Sequence, residues 1–341
     1  MIITNKHNLH PTLVRAVSYN NHITNGDISV TQLIGAPQPR VLRLQNKENI
    51  ETDANDLILA GLGTAFHHLL ELSEYTSVEA MKISEAIFAL ENMAAENRFS
   101  IQATTISNAL KDFVKSCLSA ELNRDVLREK NLTYDALGWR LSGTLDRFII
   151  SSGTIQDYKL TSVWAYLNAE SKSEWVAQQN IYAFLLREAG YEVNKAEIIG
   201  IYRDWSGGEK MRNKDYPSGR SNTIPIELYS HEAMRDYIHK RIALHKNAEE
   251  NGVVPECSSK ERWASPDTFA VKQKNRVKAM RVLHSKAAAE AFIEANSFKY
   301  SDMFIEERLG KNTKCESYCS VSKFCPQYAK ILKQQTQEVK L

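Results

Sequence analysis

Residues 125–162 read DVLREKNLTYDALGWRLSGTLDRFIISSGTIQDYKLTS, and the fold turns on this stretch. Short apolar runs are punctuated by Asn131, Asp135-Ala136, Gly138 and Ser152-Gly153. The pattern predicts three or more strands joined by tight turns. Working upstream, Leu57, Leu59, Leu62, Phe66, Leu69 and Leu70 recur at three- and four-residue intervals and predict a helix over 53–74. Residues 77–95 and 104–122 repeat that periodicity. In DISVTQLIGAP, Ser29 or Thr31 is placed to cap a short helix carrying Ile34, with Pro37 and Pro39 expected to end it. Residues 1–25 are mixed and polar, a surface wrap.

Downstream, SEWVAQQNIYAFLLREAG over 173–190 predicts a helix with Ser173 as cap and Gly190 as stop. AEIIGIYRDW and TIPIELY predict two further strands, and 231–250 returns to helix, ending at Asn251-Gly252. The segment 206–222, rich in Gly, Ser, Asn and charge, is expected to be a mobile loop. Helices, then a strand meander, then alternating helix and strand predict an α/β sheet with helices on its faces.

Composition bounds the function classes. The 341 residues are 43% hydrophobic and 25% charged, with a net charge of +2, as in a soluble globular protein of about two domains. No apolar run reaches the roughly 18 residues of a membrane span. The N-terminus lacks the basic head and apolar run of a secretory signal. Five cysteines are too few for a disulfide scaffold, so the expected compartment is the reducing cytoplasm.

Two segments carry chemistry. Asp146 closes one predicted strand and Asp157 lies near the end of the next, so two carboxylates on strands about 5 Å apart can converge on one cation. Asp157 and Lys159 share a strand face while Tyr158 points to the other. Two carboxylates with retained water suit Mg²⁺, and a lysine beside them can stabilise developing negative charge. The plain alternative is an ordinary strand in which Asp146 pairs with Arg147. His67 and Glu71 share a helix face, as do Gln178 and Tyr182. Glu129 is either a further acid in the pocket or a surface residue.

The second segment is KCESYCSVSKFCPQY. Cys315, Cys319 and Cys325 have spacings at which thiolates can converge on one metal centre, and a tetrahedral site needs four ligands. Cys257 is the expected fourth, with Cys117 the alternative, although Cys117 otherwise reads as a core residue. Over 260–286, Lys260, Arg262, Lys272, Lys274, Arg276, Lys278, Arg281 and Lys286 face only Glu261 and Asp267, a local net of +6. That is the electrostatic footprint of a phosphate backbone, with Trp263 and Phe269 available to stack on bases. A second basic candidate comprises Lys210, Arg212, Lys214 and Arg220.

GTAFH, GTLD, DYK and Q-x-x-x-Y, in this order and spacing, resemble the RecB-type PD-(D/E)XK nucleases, and DISVTQL resembles the stretch before the histidine helix in their phage members. The resemblance implies a restriction-endonuclease-like mixed central sheet flanked by helices. It also implies a Mg²⁺- or Mn²⁺-dependent deoxyribonuclease, an exonuclease on DNA ends. Endonuclease or spacer-processing activity is the rival within the class, and a non-catalytic DNA-binding factor the rival outside it. By position, His67, Asp146, Asp157 and the Tyr158 main-chain carbonyl would be metal ligands, Lys159 the catalytic lysine, and Gln178 and Tyr182 the helix motif beside the site. Gln156 stands where the family often has proline. A [4Fe–4S] cluster on Cys257, Cys315, Cys319 and Cys325 is also implied, with Zn²⁺ the alternative; the gap of three residues after Cys315, where the family usually has two, leaves that choice open. The implied partners are DNA, gripped by Lys272, Lys274, Arg276, Lys278 and Arg281, and a recombination partner protein, with no membrane. The expected organisation is an extension at 1–26, a nuclease core at 27–252 with a helical insertion at about 75–122, a basic lobe at 253–332 and a tail at 333–341.

Overall fold

The structure, a computed structural model, describes residues 2–18, 25–72 and 125–338. The helices expected at 77–95 and 104–122, and Cys117, lie outside the described residues. Among these the strands run, in chain order, β1 (Ile2–Thr4), β2 (Ile28–Ser29), β3 (Glu51–Asp53), β4 (Val126–Ala136), β5 (Trp139–Ile149), β6 (Thr154–Thr161), β7 (Lys195–Tyr202), β8 (Ser221–Ile226), β9 (Thr268–Gln273), β10 (Arg281–Leu283) and β11 (Met303–Arg308). The chain divides into two units, one of Ile3–Ile34 and Thr52–His245, the other of Met1–Ile2, Gly35–Glu51 and Lys246–Leu341.

The larger unit is built on a six-stranded mixed sheet ordered β2-β5-β6-β7-β8, with β4 also paired to β5. β4, β5 and β6 form an antiparallel meander, β6 and β7 run parallel, and β8 returns antiparallel. The parallel step requires a crossover, supplied by the helix Ala169–Glu188, which packs on β4, β6 and β7. Its inward residues Ile181, Phe184, Leu185 and Leu186 join Leu141, Leu145, Phe148, Ile155 and Ile198 from the strands in one buried core. Met234, Ile238 and Ile242 of the helix His231–Glu250 close that core. No described helix is long and apolar enough to cross a membrane.

Several local expectations change in the structure. Asn131 does not interrupt a strand; β4 runs through it to the two-residue turn Leu137-Gly138. Pro37 starts a helix, Pro37–Gln45, because the N–H that proline lacks has no partner in a first turn anyway. The helix expected from Ser173 begins at Ala169, so Ser173 is interior. At its far end Gly190 takes φ 88°, with Tyr191 N donating to Leu186 O and Gly190 N to Arg187 O, both at 3.0 Å. This double closure of the last carbonyls needs a left-handed residue, hence glycine. Ser29 caps Val30–Ile34 reciprocally: Gln32 N donates to Ser29 Oγ and Ser29 N to Gln32 Oε1, each at 3.2 Å. The segment expected to be a mobile loop contains a short helix, Gly207–Arg212, and folds on itself. There Trp205 Nε1 donates to Pro217 O at 2.9 Å, Lys210 Nζ donates to Tyr216 O at 3.1 Å and Arg220 lies over the Trp205 ring.

In the smaller unit β9 is the centre of a three-stranded antiparallel sheet, β10-β9-β11, covered by the helix Lys286–Asn296.

Candidate active site

The site of the larger unit grows from the place where β5 and β6 part. Their ladder ends at Arg147↔Gln156, so Asp146 and Asp157 are the next opposed residues, just beyond the last pair. Leaving the ladder frees main-chain groups of β6, and side chains take them over. Tyr158 N donates to Asp146 Oδ2 at 2.9 Å, and His67 Nε2 lies 3.0 Å from Tyr158 O. The helix Ala54–Leu72, which packs on β6, delivers His67, whose Nδ1 is 3.4 Å from Asp146 Oδ2. Glu71 is on the same helix, but its side chain lies outside the described residues.

On the other edge of β5 the β4 ladder pairs Arg128 with Arg147 and Lys130 with Leu145 but skips Glu129 opposite Asp146. Glu129 has φ 41°, unusual for a residue with a side chain, and this irregularity re-aims its carboxylate. Ligand atoms of His67, Glu129 and Asp146 all lie within 4.8 Å of one another. They line a pocket with Leu70, Arg128, Arg147 and Tyr158. Arg147 donates to Gln156 Oε1 across the ladder.

Asp157 sits deeper, 2% exposed, with Lys159 Nζ 2.7 Å from its Oδ2. Burial, then the negative charge of Asp146, pushes its carboxyl up to about 6, while Lys159 and His67 pull the other way. His67, Asp146, Asp157 and Lys159, distant in sequence, share one neighbourhood, but Asp157, expected as a metal ligand, is not in the group of converging ligand atoms, where Glu129 stands instead.

Gln178 and Tyr182 border it. Tyr182 OH donates to Thr144 O at 2.7 Å and is bonded by the Gln178 side chain; burial pushes this phenol well above its ordinary range. Gly143 makes the approach possible: a Cβ there would lie 2.5 Å from Val30 Cγ2 and 2.9 Å from Tyr182 Cε1. The glycine of GTLD is thus a packing requirement of the strand that carries Asp146.

Sequence reasoning left Glu129 undecided and overlooked Arg128 and Arg147 as pocket residues. Counting back from the two-residue turn at Leu137-Gly138 sets Glu129 across from Asp146, a signal available in the sequence.

In the smaller unit the four cysteines gather. Cys257 Sγ and Cys325 Sγ both donate to Gln38 Oε1, at 3.4 and 3.7 Å, and Tyr328 N donates to Cys325 Sγ. Burial, then Glu261 and the other three sulfurs, pushes the Cys257 thiol up to about 12. Cys315 is raised by burial, Cys319 and Cys325, against the charge of Arg262. Among the described residues the four sulfurs form no group of three within 4.8 Å of one another. Of the predicted DNA contacts, Lys272 pairs with Glu306 at 2.7 Å and Arg281 lies over the Phe292 ring at 5.9 Å. Lys274, Arg276 and Lys278 are exposed.

A family model described as the PD-(D/E)XK nuclease superfamily matches residues 39–326. No curated protein matches the chain. Among solved structures it is similar to SSO0001, at 14% identity and TM-score 0.33, over 69% of this chain and 85% of that one. It is also similar to a phage related exonuclease from Haemophilus somnus 129PT, at 15% identity and TM-score 0.26, over 53% and 90% of the two chains.

Proposed function

The chain belongs to the PD-(D/E)XK nuclease superfamily, and from that premise we propose a metal-dependent deoxyribonuclease, an exonuclease that hydrolyses phosphodiester bonds at DNA ends with Mg²⁺ or Mn²⁺. The observation that carries the reading is the convergence of His67, Glu129 and Asp146 ligand atoms within 4.8 Å, beside the Lys159–Asp157 pair. One imidazole and two carboxylates, with the Tyr158 carbonyl at hand, are a donor set that Mg²⁺ accepts and that the imidazole tilts towards Mn²⁺. A cation held there would supply Lewis-acid polarisation of the scissile phosphate and of an attacking water.

The chain's own groups do the rest. Asp146 is fixed by the Tyr158 N–H. Lys159, an ammonium with three donors, gives one to Asp157 and keeps the others for a water or a phosphate oxygen. Arg128 and Arg147, on the pocket wall, attract the phosphodiester anion. Gln178 and Tyr182 hold the strand of Asp146 through Thr144 O. The exonuclease preference, and a role in recombination, repair or phage DNA processing, rest on the motif series.

Cys257, Cys315, Cys319 and Cys325 are proposed to hold an iron–sulfur cluster that ties the C-terminal segment. The four thiols are half-buried, and the raised Cys257 and Cys315 thiols would gain from a metal centre that takes them as thiolates. Iron–sulfur is preferred on the motif series, with a tetrahedral zinc site on the same four cysteines the alternative.

The test is purified protein with Mg²⁺ or Mn²⁺ on 5′- and 3′-labelled linear DNA, single- and double-stranded, beside a closed circle. Degradation of linear DNA that spares the circle supports the reading. Circle cleavage makes the protein an endonuclease, and binding without cleavage by either metal makes it a DNA-binding factor.

A further inference from the structure

The loop between β9 and β10 is not explained by the metal site. Along residues 274–280, Lys274, Arg276 and Lys278 alternate, all exposed, and Val277 between them is 93% exposed. The loop is held in shape rather than slack. Lys274 N donates to Asp302 O and Arg276 N to Gln273 O, both at 3.0 Å, Met280 N donates to Val271 O at 2.8 Å, and Asn275 takes φ 68°.

The basic run of the sequence thereby separates into two kinds of charge. Lys272 is tied to Glu306, Lys286 to Glu307 at 3.0 Å, and Arg281 covers Phe292, so these serve the sheet and its helix. Among the described residues Lys274, Arg276 and Lys278 have no acidic partner within ion-pair distance. A single exposed valine is ordinary on a protein surface. One at the apex of a loop, bracketed by three unneutralised cations on an anchored ribbon, suits a ligand offering phosphates and apolar faces within a few ångströms. Nucleic acid does so where bases are unstacked.

We propose that the 274–280 loop is a DNA pin. Lys274, Arg276 and Lys278 grip backbone phosphates, and Val277 presses against the terminal bases of a duplex end and opens the pair. The inference rests on the reading of the chain as a nuclease acting on DNA and names the form of DNA it engages, a frayed duplex end.

The test uses the full chain in chelator, so that binding is read without cleavage. Fluorescence anisotropy on a hairpin duplex with one open end is followed against salt, for wild type, the triple variant Lys274→Gln/Arg276→Gln/Lys278→Gln, and Val277→Ser. Losing three phosphate contacts should lower the log–log salt slope by about 2 to 3. Val277→Ser should keep the slope but lose the rise of 2-aminopurine fluorescence at the duplex terminus that wild type produces. Unchanged thermal melting in both variants ensures that folding is not what is read. An unaltered slope in the triple variant, an unaltered 2-aminopurine signal in Val277→Ser, or binding to anionic vesicles in preference to DNA overturns the pin. Cleavage of linear DNA with Mn²⁺ is scored in parallel. Its absence would defeat the nuclease reading, whereas cleavage with unaltered slopes would defeat the pin alone.

Discussion

Asp146 Oδ2 accepts the main-chain N–H of Tyr158 at 2.9 Å, one step past the last ladder pair of β5 and β6. The carboxylate therefore has two roles that substitution can separate: it closes a freed backbone donor and it supplies negative charge to the pocket.

Asp146→Asn keeps an oxygen for the Tyr158 N–H and removes the charge, whereas Asp146→Ala removes both. Both variants should lose cleavage by about 10²-fold or more, since the metal site is broken in each. Only Asp146→Ala should also lose about 1–3 kcal/mol of stability, the cost of an unmet main-chain donor. Urea denaturation of the two variants distinguishes these outcomes, and equal stabilities would count against the bond's structural role.

Lys159→Ala should leave Mn²⁺ affinity nearly unchanged and cut the cleavage rate by about 10²–10³-fold, the usual effect of removing a donor aimed at developing charge. Calorimetric metal titration beside single-turnover cleavage measures both. Unchanged cleavage would remove Lys159 from the mechanism.

The buried Asp157 predicts how stability responds to pH in chelator. Its carboxyl is raised from 3.8 to about 6, mainly by burial. Between those values the folded chain binds more protons than the unfolded one, so stability falls as pH rises through the window and levels off above about 6. Asp157→Asn should flatten that slope in thermal melts between pH 4 and 7. A wild-type slope persisting in the variant would assign it to another group.

Gly143→Ala places a methyl against Val30 and the Tyr182 ring. Overpacking of this kind costs about 1–3 kcal/mol. Displacing Tyr182 from Thr144 O should lower cleavage as well. Melting temperature and rate should fall together, and a variant as stable as wild type would show that the strand and helix can yield.

Protein purified anaerobically should carry iron and broad visible absorbance, lost in Cys257→Ser and in Cys325→Ser. Stoichiometric zinc without iron would replace the cluster reading.

Much of the sheet was legible because β4, β5 and β6 are local: turns at Leu137-Gly138 and Ser152-Gly153 punctuate them, and a hairpin needs no distant partner. Asn131 was misread because turn residues also tolerate a long edge strand. Pro37 follows the short helix that ends at Ile34, as expected, and also opens the next one, which was not foreseen because proline suits a first turn as well as a helix end. Strand alternation puts Asp157 and Lys159 on one face, and hairpin register sets Glu129 opposite Asp146; what the sequence does not carry is the left-handed φ of Glu129 in mid-strand, which re-aims its carboxylate. Gln38 could not be anticipated beside Cys257 and Cys325, because more than 200 residues separate it from either sulfur and no periodicity spans such a distance.

His67, Glu129, Asp146 and the Tyr158 carbonyl are proposed to form a divalent-cation site. Crystals soaked in Mn²⁺ and measured for manganese anomalous scattering test it most directly. A peak among those four groups, absent from Asp146→Asn crystals, is the predicted result. A well-occupied peak elsewhere in the molecule, with this pocket empty under conditions that support DNA cleavage, would contradict the account.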